Sequence, residues 1–205
     1  MIKIAITGNI GSGKSTITKI VRELGFKVFD SDSEVKKALT KKDLINQIST
    51  EFKSKIPGLV KRNKIDKAKL GEFVFSKPDE LKKLEQIVHP TVWESKEKFF
   101  EKYCNEPAVF LDIPLLFEKK LQSKFDFIIR TRVSEEVQKK RVLKRKNMTN
   151  AKFNQIRKTQ TDHSGVEDKY ISLDINTEED IRIIKKKVKN FLEKILNLKK
   201  ELDLT

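Results

Sequence analysis

Little in this sequence can cross-link or anchor it. Of 205 residues a single one is cysteine, Cys104, so no disulfide framework can form within the chain. A reducing cytoplasm is the simplest setting for such a chain. No apolar run approaches the ~18 residues of a membrane span, and no signal-peptide pattern opens the sequence. With two histidines in all, His89 and His163, no metal-ligand spacing emerges, and thiol chemistry at Cys104 has no supporting neighbour. Acids are scarce relative to bases, 30 against 45, which leaves a formal charge of +15. Hydrophobic residues make up 37 %, lean but enough to bury one core in a chain of this length.

The basic excess is not spread evenly. Between Lys119 and Lys158 there are 14 Lys and Arg and three acids, a net +11, while the rest of the chain carries +4. A localised excess asks for a local anionic partner. Nucleic acid is one such partner, but no RNA-binding or zinc-ligand pattern accompanies the segment. Its aromatics are sparse too (Phe125, Phe127, Phe153), which disfavours a base-stacking surface.

Strand signals are short and separated. Met1–Thr7, Phe26–Phe29, Ala108–Leu111, Phe125–Thr131 and the weaker Tyr170–Ile175 read as strands. A helical pattern runs from Lys14 to Leu24, with Gly25 at the C-cap position. The opening β–loop–α–β order predicts parallel strands joined by a right-handed crossover. From Ser33 to Cys104 the pattern predicts several short helices, broken at Pro57-Gly58, Ser76-Lys77-Pro78 and His89-Pro90. Two basic helices, Ser134–Lys146 and Thr149–Gln160, are expected to be separated at Asn147. Thr177 and Asp180 have capping-box spacing for a last helix reaching about Leu198.

Glycine is rare, seven in the chain, yet three fall within Gly8-Asn9-Ile10-Gly11-Ser12-Gly13-Lys14-Ser15. That stretch fits G-x-x-x-x-G-K-[ST], and it lies between a strand and a helix as the motif requires. Such glycines let the backbone turn tightly with its N–H groups aimed at phosphate oxygens, and the helix N-terminus adds positive character. Lys14 would reach the β- and γ-phosphates, and Ser15 would ligate Mg²⁺. Asn63-Lys64-Ile65-Asp66 spells the guanine-reading N-K-x-D. It follows no buried strand, and no D-x-x-G accompanies it, so it reads as a decoy and ATP as the nucleotide.

Phosphoryl transfer to an alcohol needs a carboxylate to orient the hydroxyl and accept its proton. Asp32, in Asp30-Ser31-Asp32 after the second strand, suits that role or that of a helix cap. Asp112, after Val109-Phe110-Leu111, stands where a Mg²⁺-holding carboxylate belongs, or caps the strand end. Gln138, Arg141 and Arg145, three and four residues apart, would share one helix face. Arginine forks there match phosphate, so this segment could close over ATP as a lid; a solvated basic face is the plainer alternative. His89-Pro90 suits a rigid turn around a buried imidazole, or a ligand contact.

Together these motifs resemble the dephospho-CoA kinase family over Ile2 to Gln160. The resemblance rests on Thr7–Thr16, on Leu24–Asp32 (L-G-F-x-V-x-D-x-D), and on Phe73-Val74-Phe75 with Pro78 and Leu84 to His89-Pro90. It continues through Asp112-Ile113-Pro114-Leu115-Leu116-Phe117-Glu118 and the Q-x-x-R-x-x-x-R of Gln138, Arg141 and Arg145. It implies an α/β three-layer phosphate-loop fold with a five-stranded, mostly parallel sheet, a helical acceptor-binding insertion and a helical lid. The nucleotide-binding core would comprise residues 1–32, 107–135 and 168–200, the insertion 33–106, and the lid about 136–165.

The implied reaction is ATP-dependent phosphorylation of the ribose 3′-hydroxyl of dephospho-CoA, with Asp32, Lys14 and Arg141 as catalytic residues. ATP would be held by Gly11, Ser12, Gly13, Lys14, Ser15, Thr16 and Arg145, with Asn176 a further candidate. The metal would sit on Ser15 and Asp112, and the acceptor on Asp32, His89, Pro90, Pro114 and Leu115. A cytoplasmic monomer or small homo-oligomer with neither nucleic-acid nor membrane partners is expected. After Gln160 the chain departs from the family's A-D-x-V-I-x-N strand, keeping Asn176 but not the A-D entry. A shikimate-kinase-like enzyme would share Phe29 to Asp32 but needs a G-G-G turn that this chain lacks. A nucleic-acid-binding ATPase is the remaining alternative.

Overall fold

A computed structural model describes residues 1–146, 148–160 and 168–202. Asn147, the expected break between the two basic helices, and His163, within the expected lid, lie outside the described residues. The chain forms two units, Met1–Phe29 with Tyr103–Thr205, and Asp30–Lys102.

In the first unit, strands β1 (Ile2–Thr7), β2 (Lys27–Asp30), β5 (Ala108–Asp112), β6 (Phe127–Arg132) and β7 (Leu173–Asn176) form one sheet in the order β2-β5-β1-β6-β7. β1 runs parallel to both β5 and β6, with Ile6 level with Asp112 and with Ile129, and β6 runs parallel to β7. A central strand covered on both faces must be apolar nearly throughout. Ile4, Ala5 and Ile6 of β1 are accordingly fully buried. β7 lies at the edge and buries only Ile175 of its four residues, which accounts for its weak sequence signal.

Alternation along β1 sorts the two faces. Ile2, Ile4 and Ile6 meet α1 (Lys14–Glu23) through Ile17, Ile20 and Val21, and α8 (Ile181–Leu202) through Ile184, Val188, Leu192 and Ile195. Ala5 faces the other way, onto Leu116, Phe117 and Ile128. Helix α1 stops as predicted at Gly25, whose φ is 92°. Gly25 N donates to Arg22 O and Phe26 N to Val21 O, the paired bonds of a Schellman motif.

The second unit comprises α2 (Ser31–Ala38), α3 (Lys42–Phe52), the hairpin β3 (Val60–Lys61) and β4 (Lys64–Ile65), α4 (Lys67–Phe75) and α5 (Pro78–Lys102). Its core gathers Ile48, Phe52, Leu59, Leu70 and Val74. Two sequence expectations need correction here. The hairpin replaces a purely helical reading, and its two turn residues, Arg62 and Asn63, have φ values of 48° and 57°. Positive φ at both central positions marks a type I′ turn, which matches the twist of the strands it joins. Asp66 then caps α4 by accepting from Lys69 N at 3.1 Å. The N-K-x-D string is thus spent on a turn and a helix cap.

The second correction is at His89-Pro90, where α5 runs on unbroken for 25 residues. Pro90 deprives the Gln86 carbonyl of its helical donor. Both residues are exposed, so water can replace the donor and the ring projects into solvent. His89 is exposed as well, which removes the buried-imidazole reading. Pro78, by contrast, takes the first helical position, where its missing N–H has no helical partner to lose.

Candidate active site

The glycine loop leaves the end of β1 and opens α1. Gly8, Gly11 and Gly13 have φ values of 145°, 78° and 95°, conformations that L side chains rarely adopt. Space forbids a side chain there too. A Cβ on Gly13 would lie 2.8 Å from Oγ1 and Cγ2 of Thr177, and one on Gly8 2.4 Å from Thr131 O. The loop is therefore wound tightly against β6 and the turn after β7.

Long-range hydrogen bonds hold it in that form. Ser12 Oγ and Thr131 Oγ1 are 2.7 Å apart, and Thr177 Oγ1 donates to Ser12 O at 2.7 Å. Ile10 is gripped from both sides: Gln138 Nε2 donates to its carbonyl at 2.8 Å, while Gln160 Oε1 accepts from its N–H at 2.9 Å. Gln138 comes from α6 (Glu135–Leu143), and Gln160 ends α7 (Asn150–Thr159). An ion pair between Arg157 and Glu135 joins these two helices. Lys14 Nζ folds back over the loop and donates to Gly8 O at 2.7 Å and, more weakly, to Asn9 O at 3.5 Å, which sets an ammonium at the start of the loop.

β5 delivers Asp112 to α1. Its Oδ2 accepts from Thr18 Oγ1 at 3.1 Å, and Thr18 lies one turn beyond Ser15, so both α1 residues share a face. Pro114 and Leu115 follow in a half-buried turn, anchored by buried Leu116 and Phe117.

Arg141 donates from one guanidinium nitrogen to Thr177 Oγ1 at 2.7 Å and from the other to Thr177 O at 2.9 Å. Arg145 differs from expectation. α6 ends at Leu143, so Arg145 lies beyond the helix rather than on its Gln138–Arg141 face, and it is exposed. Asn176 Oδ1 accepts from Glu178 N at 3.0 Å, committing that oxygen to the local turn. Glu178 in turn accepts from Ser134 N at 2.6 Å, and this backbone bond holds its carboxyl below the usual glutamate range.

Beneath the turn, Arg130 of β6 grips its cross-strand neighbour Asp174 through Nε and NH2, at 3.2 and 2.8 Å. Asp174 is the main reason the Arg130 pKa lies above the ordinary arginine value.

In the second unit the helix cap belongs to Asp30, whose Oδ1 accepts from Ser33 N at 2.9 Å. Asp32 sits exposed in the first turn of α2, and no hydrogen bond or ion pair engages its carboxylate among the described residues. This settles the cap alternative against Asp32.

Three contributors escaped the sequence reading. Thr131 and Gln160 bind the loop across 119 and 150 residues of chain, with no local pattern to announce it. Thr177 did carry a signal, but a misleading one. Asp180 Oδ1 accepts from Arg182 N at the start of α8, while Thr177 lies well before the helix and serves the loop instead.

A parallel sheet with this loop between its central strand and α1 defines a phosphate-loop nucleotide-binding protein. The dephospho-CoA kinase family model matches residues 2–175. The dephospho-CoA kinase of Bradyrhizobium diazoefficiens is 38 % identical over 160 residues, 77 % of this chain and 78 % of that one. That of Listeria innocua is 32 % identical over 207 residues, covering 96 % of this chain and 98 % of the relative. The crystal structure of TT1252 from Thermus thermophilus superposes with a TM-score of 0.75 at 28 % identity, covering 96 % of each chain. The chain belongs to the dephospho-CoA kinase family.

Proposed function

We propose that this protein transfers the γ-phosphate of ATP to the ribose 3′-hydroxyl of dephospho-CoA, yielding coenzyme A and ADP. The observation that carries the reading is the braced loop Gly8–Ser15 at the start of α1, in a chain of this family. Its N–H groups, together with those of Thr16 and the helix N-terminus, cradle the phosphates, and Lys14 moves from Gly8 O onto the β- and γ-oxygens.

Ser15 and Asp112 fit Mg²⁺, a hard ion that takes one or two protein oxygens and fills its remaining positions with water and nucleotide phosphates. Bound there, it would neutralise charge on the β- and γ-phosphates. Asp32 accepts the 3′-hydroxyl proton as the O3′–phosphorus bond forms and the bond to the leaving ADP oxygen breaks. Its exposed and unengaged carboxylate supports that role. Arg141 and Arg145 neutralise charge on the transferring group, within a lid of about residues 136–165. Asn176 has its amide nitrogen left for the nucleotide base.

His89, Pro90, Pro114 and Leu115, with the helical insertion 33–106, take the acceptor. The +11 segment from Lys119 to Lys158 includes α6 and α7, where a positive field gathers two phosphate-rich substrates. Among the described residues no helix is long and apolar enough to cross a membrane. We place the enzyme in the cytoplasm as a monomer or small homo-oligomer, without a nucleic-acid partner; the lone thiol of Cys104 suits that compartment.

The test is ADP release with ATP and Mg²⁺ and with dephospho-CoA or shikimate supplied separately. Turnover with dephospho-CoA alone is expected. Turnover with shikimate, or none with dephospho-CoA, would overturn the proposal.

A further inference from the structure

We infer that Thr177 is a positioning residue for phosphoryl transfer, setting Arg141 and the phosphate loop in one frame through a single buried hydroxyl. The inference rests on the placement of Arg141 at the transferring phosphate. Arginine can only donate, and a hydroxyl has one proton to give. Arg141 NH1 therefore gives to Thr177 Oγ1, and the hydroxyl proton goes to a carbonyl: Ser12 O at 2.7 Å is much the nearer acceptor, with Arg132 O at 3.4 Å. The second arm of the same guanidinium rests on Thr177 O at 2.9 Å, so both points that fix the fork belong to one residue.

The Ser12 end has its own consequence. A trans peptide is planar, with C=O and N–H on opposite sides. Holding Ser12 O toward Thr177 turns the Gly13 N–H the opposite way. Gly13 also packs directly on the threonine side chain, which occupies the space a Cβ would need. Thr177 is itself immobilised. It is 7 % exposed, its N–H donates to Arg132 O at 2.9 Å, and flanking Asn176 and Glu178 fix the turn on either side. Both the loop and the arginine are thus referred to the β6–β7 edge of the sheet.

Shape and hydrogen bonding can be separated at this position. Valine keeps both branches of the side chain and removes the hydroxyl; serine keeps the hydroxyl and removes the methyl. In the full-length chain, Thr177→Val should lower kcat with dephospho-CoA roughly tenfold to a hundredfold, the range for a hydrogen bond to a charged group. Thr177→Ser should stay within about threefold of wild type. In an Arg141→Ala background, Thr177→Val should cost several-fold less than in wild type, because one of the two groups it positions is gone and only its hold on Ser12 O is left to lose. If the valine variant does not fold, as judged by its melting transition, Thr177→Ala takes its place in the cycle.

Equal losses in both backgrounds, or a serine variant no better than valine, would show a structural role only and overturn the inference. Arg141→Ala at the wild-type rate would overturn the placement of Arg141 and the inference with it. An impaired Arg141→Ala beside an intact Thr177→Val would overturn the inference alone.

Discussion

The two units carry their candidate residues in opposite ways. In the first, side chains around the phosphate loop are already engaged: Ser12 with Thr131 and Thr177, Ile10 with Gln138 and Gln160, Arg141 with Thr177. In the second, Asp32 and His89 stand exposed on helices, and no hydrogen bond engages either side chain among the described residues. The difference follows from what each is proposed to bind. Phosphates are held by backbone N–H groups whose directions must be set beforehand, so the loop is braced by contacts that span the sheet. A general base needs a lone pair with no competing partner until its substrate arrives.

The sharpest way to break the second side without the first is Asp32→Asn, which keeps shape and removes the base. It should reduce kcat by about 10²- to 10⁴-fold while the KM for ATP stays within about twofold, read from initial rates at varied ATP. A kcat within a few-fold of wild type would remove Asp32 as the base. The converse change is Gly13→Ala. An alanine must hold a φ of 95° with its Cβ 2.8 Å from Thr177 Oγ1. That strain should raise the dissociation constant for ATP roughly tenfold or more, while isothermal titration shows dephospho-CoA binding unchanged.

The same contrast explains what could be read from the sequence. The β1–loop–α1–β2 unit was legible because its signals are local: an apolar run, a glycine pattern, a helix stop at Gly25. Parallel pairing followed from the opening β–loop–α–β order, and the five-stranded sheet from the family resemblance. The β3–β4 hairpin was not legible, since two-residue strands carry no alternation and Arg62 is not a residue that announces a positive φ. Pro90 misled because a proline on an exposed helix face costs less than the same proline in a packed one. Asp32 was singled out by its position after a strand, while the cap on Asp30, two residues earlier, has no local sequence signal that separates the two aspartates. The braces were hidden for a different reason: Thr177 and Ser12 meet across 165 residues, and chain separation of that order leaves no periodic trace.

Those braces can be loosened one at a time. Gln160→Ala removes the acceptor of the Ile10 N–H but leaves Gln138 on its carbonyl. A neutral hydrogen bond contributes about 1 kcal/mol net, so the ATP KM should rise about fivefold, and kcat should change less. Amide exchange at Ile10 should quicken in the variant. Exchange and KM both at wild-type values would show that α7 does not brace the loop.

The smallest effect is expected at the outer end of the turn, where Glu178 accepts from Ser134 N at the base of α6. Its folded pKa is lowered, chiefly by that backbone bond, so the interaction stabilises the native state when the carboxylate is ionised. The contribution is complete above the unfolded pKa and disappears as pH falls through the lower folded value. Wild type should therefore lose slightly more thermal stability than Glu178→Gln between neutral pH and about pH 3, while the two differ by a constant amount above about pH 6. Because the side chain is exposed, salt should shrink the difference. Melting curves across that range check the sign. Parallel curves down to pH 3 would mean that the Ser134 contact does not fasten α6, leaving Thr177 and Gln138 to hold the helix against the loop.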